Sequence, residues 1–242
     1  MSLIRIGTAG WSIPRDVADH FPADGTSLER YSARFPVAEI NSSFHRSHRP
    51  STWERWADSV PAAFRFSAKL PKTITHVAKL QDCAPLIDAF LAEVAGLGPK
   101  LAVLLAQLPP KLAFDAEVVA RFFGELQART AIPIACEPRH VSWFAPDADE
   151  LLSTLRIARV AADPACCADA DRPGGWRGLA YWRLHGSPVK YRSSYADRIP
   201  ALASELAREV DAHDTWCIFD NTASSAAAVD ALALSAKLAG EQ

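Results

Sequence analysis

The sequence predicts an α/β protein, a single (β/α)8 barrel of the TIM type occupying residues 1–242. Short apolar strand patterns alternate with helical patterns from one end to the other, and eight strands can be counted. The 242 residues are close to the ~250 typical of such barrels. A doubly wound open sheet is the rival, but it normally carries a glycine fingerprint after its first strand. Gly7-Thr8-Ala9-Gly10 lacks the GxGxxG spacing. No linker or compositional break divides the chain.

The first strand is expected over residues 4–8, ending in a turn at 7–11. A helix follows, with Ser27 as cap and Leu28, Tyr31 and Phe35 at helical spacing. Residues 37–41 form the second strand. Ser51 and Glu54 then stand in capping-box spacing before a helix carrying Trp53, Trp56 and Val60. The third strand covers 64–69. Pro85 opens a helix bearing Leu86, Phe90, Val94 and Leu97, closed by Gly98. Strand four is 101–107, and Asp115 caps a helix with Val118, Phe122 and Leu126 on one face. Strand five is 132–137, followed by a short helix with Leu151, Leu152 and Leu155. Strand six is 159–163, and the Pro173-Gly174-Gly175 region after it is too broken for a long helix. Strand seven is 180–185, with a helix over 201–212. Strand eight is 215–220, with an alanine-rich helix from residue 224 to the end.

Composition excludes several classes. The 26 Lys+Arg against 28 Asp+Glu give a formal charge of −2 at pH 7, so neither a strongly basic nucleic-acid coat nor an acidic tail is present. Five cysteines are too few for a disulfide scaffold, and the adjacent Cys166-Cys167 lacks CxxC spacing. The first ten residues run straight into a strand pattern without signal-peptide architecture, and no apolar run reaches the ~20 residues that span a bilayer. A soluble cytoplasmic protein is the expectation.

Barrel strands are buried on both faces, so polar residues on them need a reason. They gather at the C-terminal strand ends: Glu39 and Asn41, Lys69, Gln107, Glu137 and Arg139, Asp163, Arg183 and His185, Asp220 and Asn221. Alternation puts Glu39 with Asn41, Glu137 with Arg139 and Arg183 with His185, leaving Ile40 and Leu184 for the helix layer. Active sites of this fold lie at that mouth. One reading is an ion-pair ring that merely neutralises itself. Gln107 before Pro109-Pro110 reads as a turn residue, and Asp163-Pro164 and Asp220-Asn221 fit turns or caps as well.

The cations Lys69, Arg139 and Arg183, with Lys72, Lys190 and Arg192 in adjoining loops, suit phosphate or carboxylate. His76, His140 and His185 are candidate proton carriers, with His185 favoured by its parity with Arg183. Glu39, Glu137, Asp163 and His185 are the residue types a divalent metal takes, yet no HxH or HExxH spacing accompanies them, and the sequence requires no cofactor. Trp11, Phe44, Trp143, Tyr191 and Tyr195 offer stacking surfaces, with Trp11 and Trp143 reading better as loop packing.

These strand-end motifs, taken in order, resemble the YecE-like family (domain of unknown function 72). They are GTAGW at 7–11, EINSSF at 39–44, FRFSAKLPKTITH at 64–76 and QLPP at 107–110. EPRHVSWF at 137–144, RLHG at 183–186, the loop at 191–197 and FDNT at 219–222 complete the set. The resemblance implies a TIM-type barrel and no established reaction. His45 stands where the family usually has Tyr, and Asp220 where it usually has Asn, adding negative charge to the mouth. Family barrels also look distantly like metal-dependent barrels acting on sugars or abasic DNA, an analogy of fold alone.

The functional expectation is an enzyme, hydrolase or isomerase, acting on a phosphorylated sugar or nucleic-acid-derived anion. His185, Glu137, Glu39 and Asp163 would do the chemistry. Lys69, Arg139, Arg183, Asn41, His76, His140, Trp11, Tyr191, Tyr195, Asp220 and Asn221 would bind the substrate. The alternative is a non-catalytic module binding nucleic acid or an anionic metabolite through the same bowl. No membrane partner is expected.

Overall fold

Strands that bury both faces favour parallel pairing with helices laid outside, and the apolar runs here do this. The computed structural model describes residues 3–208 and 214–240. Among these, ten strands make one sheet: β1 (Leu3–Ala9), β2 (Val37–Ile40), β3 (Arg65–Lys69), β4 (Leu101–Gln107), β5 (Ile134–Glu137), β6 (Ile157–Arg159), β7 (Ala161–Asp163), β8 (Gly174–Gly175), β9 (Leu179–Leu184) and β10 (Asp214–Phe219). Their order is β7-β9-β10-β1-β2-β3-β4-β5-β6-β8, and the pairing of β6 with the two-residue β8 is antiparallel. Val160 separates β6 from β7, and its N–H donates to Cys136 O at 2.8 Å. The stretch 157–163 thus pairs with β5 through β6 and with β9 through β7. This shared stretch nearly closes a (β/α)8 barrel of parallel strands.

Among the described residues, seven α-helices lie outside it: α1 (Ser27–Ser32), α2 (Pro50–Asp58), α3 (Ala84–Val94), α4 (Ala116–Gln127), α5 (Pro146–Thr154), α6 (Ile199–Ala207) and α7 (Ala226–Gly240). A 3-10 turn at Ala168–Asp171 and then β8 stand where a helix after β7 would be. Gly174 permits this course, because a Cβ there would lie 2.2 Å from Arg159 Nη2. That guanidinium is held by Asp149, with Nε donating to Oδ1 at 2.8 Å. The helix-breaking Pro173-Gly174-Gly175 therefore marks a real change of architecture.

Alternate strand residues sort into two cores. Val37, Val103, Leu105, Ala135, Tyr181 and Trp216 belong to the barrel interior. Ile40, Leu104, Ile134, Leu184 and Phe219 face outward and pack with helical Trp53, Phe90 and Phe122. Ile40 and Leu184 are on the helix side, as alternation demands.

Several local expectations change. The α1 cap is Thr26, whose Oγ1 accepts from Glu29 N at 3.3 Å while Glu29 Oε2 accepts from Thr26 N at 2.6 Å. Ser27 is already in the helix. Ser51 and Glu54 form no capping box, because Pro50 opens α2 and no side chain caps it. Leu86 on α3 is 37% exposed, and the helix ends at Val94, with Gly98 (φ +52°) lying in the following 3-10 turns. Val119 and Phe123 share the buried face of α4 with Phe122 and Leu126, whereas Val118 is half-buried. Asp115 caps α4 as read, accepting from the amides of Glu117 and Val118 at 3.1 Å each. The sixth strand begins at Ile157, earlier than expected. The predicted helix portion at 209–212 and the last two residues lie outside the described residues. Among the described residues, no helix is long and apolar enough to cross a membrane.

Candidate functional site

Inward alternation continues past the apolar layers to the C-terminal ends, where it delivers charge. Glu39 ends the inward row of β2, Glu137 that of β5, and Arg183 that of β9, with His185 one step beyond. All four are fully or almost fully buried. Arg183 Nε and Nη2 donate to Glu39 Oε2 and Oε1 at 2.9 and 2.6 Å. Nη1 donates to Glu137 Oε2 at 2.5 Å and Nη2 also to Asp220 Oδ2 at 3.0 Å. A single guanidinium thereby ties β2, β5 and β9 to the residue following β10.

His185 completes the ring, with Nε2 2.9 Å from Glu137 Oε1 and Nδ1 2.9 Å from Asp220 Oδ2. Carboxylates only accept, so both ring nitrogens donate and the ring is an imidazolium. Burial works against that charge, but the Glu137 carboxylate and the two hydrogen bonds overcome it and raise the pKa. Burial likewise opposes the carboxylate of Glu137, yet Arg183 and His185 hold it well below the usual range. Asp220 is lowered against burial by the same two partners, Arg183 first. Beneath the ring, the Tyr181 hydroxyl donates to Glu39 Oε2 at 3.0 Å and lies 2.7 Å from Ser67 Oγ.

Above the ring opens a cavity of about 470 Å³ lined by Asn41, Phe44, Lys69, His76, Arg139 and Tyr191, with Ser42, His45, Gln107 and Asp220. Lys69 is only 6% exposed, and its Nζ sits 4.0 Å from the Phe44 ring centroid. Burial, then the Arg183 charge, bring its pKa down to about 8. His76 is lowered by burial and by Lys69 and Arg139. Arg139 donates from Nε and Nη2 to Glu137 Oε1 at 3.2 and 3.1 Å, and Glu137 outweighs burial to raise its pKa. Tyr191 packs edge-on to His185 with ring centroids 5.8 Å apart. Asn41 Nδ2 donates to Asp220 Oδ1 at 3.2 Å.

The structure therefore divides the predicted set. Lys69, Arg139, Asn41, His76, Tyr191 and Asp220 line the cavity. Glu39, Glu137, Arg183 and His185 are buried below it, their polar atoms spent largely on one another and on Asp220, and none of the four is among the side chains that line the cavity. Asp163 is a correction: its register partner is Leu184, which faces outward. The Asp163 carboxylate accepts from Tyr195 Oη at 2.7 Å and Arg198 Nη1 at 2.8 Å.

Tyr195 and Asn221 are also corrections, because both fasten the 186–196 loop. Tyr195 Oη accepts from Gly186 N at 2.8 Å, and Asn221 Nδ2 donates to Asp230 Oδ2 at 2.6 Å. His140 caps the 3-10 turn Val141–Phe144 by accepting from Ser142 N at 3.3 Å. Trp143 Nε1 donates to Leu112 O, and Trp11 packs on Trp56 and Phe66, so both pack loops. Lys72, Lys190 and Arg192 are exposed.

The four candidate metal ligands do not come together. Asp163 is on the outer side, Glu39 and Glu137 accept from Arg183, and His185 has a carboxylate at each ring nitrogen. Among the described residues, no group of three or more His, Cys, Asp or Glu is arranged to hold a metal ion.

Gln107 is not a turn residue in function: its Nε2 donates to both Glu137 oxygens at 3.0 Å. Tyr181, Ser67, Ser42 and His45 also belong to the mouth or its support, beyond the predicted site residues. For Tyr181 and Ser67 the signal was present, since they stand two residues before Arg183 and Lys69 on the same inward rows.

The family model "Protein of unknown function DUF72" matches residues 5–242. UPF0759 protein YecE of Escherichia coli (strain K12) is 30% identical over 149 residues, 61% of this chain and 53% of that protein. UPF0759 protein YunF of Bacillus subtilis (strain 168) is 29% identical over 150 residues, covering 60% and 53%. The aligned part spans about half the length of these curated relatives. A DUF72 family protein of Enterococcus faecalis superposes with a TM-score of 0.83 at 22% identity, over 98% of this chain and 96% of that one. One of Thermotoga maritima gives 0.79 at 22%, over 98% and 99%.

Proposed function

The chain belongs to the DUF72 family, whose fold comes with no reaction attached, and we propose that its mouth is an enzyme site for a phosphorylated sugar or nucleic-acid-derived anion. One observation carries this reading: Lys69 and Arg139 converge with His76 on one polar cavity, above a ring that already satisfies its own carboxylates. Glu137 is shared between Arg183, His185, Gln107 and Arg139, so it does not neutralise Arg139 alone. An anionic group entering the cavity meets positive charge in a partly desolvated setting, where charge-assisted hydrogen bonds are strong.

The chemistry this arrangement favours is proton transfer. Lys69, at about 8, exchanges a proton near neutral pH, and His76, pushed below its ordinary value, is the neutral base beside it. The buried ring is positioning machinery for Arg139, which it holds through Glu137, while Lys69 Nζ rests on the Phe44 ring. A thermal-shift screen of phosphorylated metabolites, nucleotides and divalent ions tests the reading, because a ligand of the native state raises apparent stability. A phosphorylated compound should shift the wild type and lose that shift in Arg139→Gln. Equal shifts in both proteins would remove Arg139 from the site.

The exposed Lys72, Lys190 and Arg192 favour a second reading, a non-catalytic module for a nucleic-acid fragment. Its affinity would fall steeply with salt, and no binding at low ionic strength would eliminate it.

A further inference from the structure

We propose that Lys69 Nζ forms an imine with the carbonyl carbon of an anionic carbonyl compound, a phosphorylated aldehyde, ketone or sugar, seated in the mouth. This deepens the proposed function and rests on it for the anion cradle. Lys69 is the buried lysine among the described residues. Lys100, which is half-buried, spends its Nζ on Ala57 O and Val60 O, and Lys72, Lys79, Lys111, Lys190 and Lys237 are exposed. Lys69 Nζ has no hydrogen-bond or ion-pair partner among the described residues. Its close contact is the Phe44 ring, which holds the charged form weakly and leaves the lone pair of the neutral form unblocked.

Three features around it fit the reaction. Burial beside Arg183 leaves about a tenth of the amine neutral at pH 7, far more than an ordinary lysine, and an amine nucleophile requires the neutral form. Arg139 lines the same cavity and can take the substrate's anionic group while Lys69 takes its carbonyl. His76 is half-buried, neutral and on the same wall, with Nδ1 2.9 Å from Thr75 Oγ1, leaving Nε2 for proton traffic.

The step balances without an oxidant or reductant. The Nζ lone pair forms a C–N bond, the carbonyl π pair moves to oxygen, and that oxygen takes a proton while nitrogen gives one up through His76. The carbinolamine hydroxyl then takes a proton from His76 and leaves as water, the nitrogen lone pair forms the C=N bond, and the proton remaining on nitrogen returns to His76. Amine plus carbonyl become imine plus water.

The test uses wild-type protein and pyridoxal 5′-phosphate, an anionic aldehyde, with borohydride trapping and peptide mapping by mass spectrometry. At about pH 8, Lys69 should be labelled about tenfold faster than Lys72 or Lys190, because a group near 8 is far more deprotonated than an ordinary lysine near 10.4. Inorganic phosphate should slow that labelling. Label spread evenly over exposed lysines, with none preferred at Lys69, overturns the proposal. Phosphate binding seen by calorimetry alongside that even spread removes the imine and keeps the anion cradle. Preferential labelling of Lys69 without phosphate protection keeps the nucleophile and removes the cradle.

Discussion

Arg183 and Glu39 form a two-pronged ion pair inside the barrel, 2.9 Å at Nε–Oε2 and 2.6 Å at Nη2–Oε1, and neither side chain reaches solvent. Such a pair is costly to desolvate, so its cohesion shows when one partner is removed.

Arg183→Met is expected to destabilise the protein by about 3–5 kcal/mol, since it strands the carboxylates of Glu39, Glu137 and Asp220. Adding Glu39→Met should recover part of that loss, and urea unfolding of the single and double variants measures it. A purely additive cycle would mean that the pair is not coupled.

His185 ties stability to pH with a definite sign. Its folded pKa is raised, so its stabilisation is complete below the ordinary value of 6.5 and is lost as pH rises through the folded value. The stability gap between wild type and His185→Gln should therefore narrow on going alkaline. Equilibrium denaturation across that range reads it, and a gap that widened would show that the ring is neutral.

Lys69 has the opposite consequence. Its folded pKa is about 8 against an ordinary 10.5, so burial of the charge is a penalty below about 8 that is relieved as pH rises toward 10.5. The charged groups facing it are Arg183, Glu39, Glu137 and Asp220. Relative to Lys69→Met, the wild type should gain about 3 kcal/mol over that window. Parallel urea curves at all pH values would place the amine in water.

The loop over the mouth hangs on Asp230 of α7, which accepts from Ser194 Oγ at 2.6 Å, Tyr195 N at 2.9 Å and Asn221 Nδ2 at 2.6 Å. Asp230→Ala leaves buried donors unpaired and should cost about 2–4 kcal/mol. Hydrogen exchange at Tyr195 and Gly186 should accelerate before exchange in β9. Unchanged protection would mean that Asp230 does not hold the loop.

The barrel was legible because its signal is repeated along the chain: each apolar run is short, and the polar residues cluster where strands end. The grouping of Glu39, Glu137 and Arg183 followed from period-two alternation. That rule works only where the strand is regular. Asp163 follows the Val160 kink, where one stretch passes from pairing with β5 to pairing with β9, and nothing in its local sequence announces the outward face. His185 reads as a proton carrier because sequence gives its parity and not its neighbours, and the carboxylates that immobilise it, Glu137 and Asp220, lie 48 and 35 positions away in the chain. Of the expected caps, the one at Ser27 shifted to Thr26 and the box at Ser51 vanished, because several adjacent residues can each begin a helix.

The most direct measurement of the central claim is a calorimetric titration of inorganic phosphate into wild type and Lys69→Met at neutral pH and at about pH 9.5, where an amine near 8 is discharged. Wild type should bind at neutral pH and lose about tenfold in affinity at the higher pH, one cation's worth, while Lys69→Met binds weakly at both. Equal affinity in the two proteins at both pH values would contradict an anion site built on Lys69.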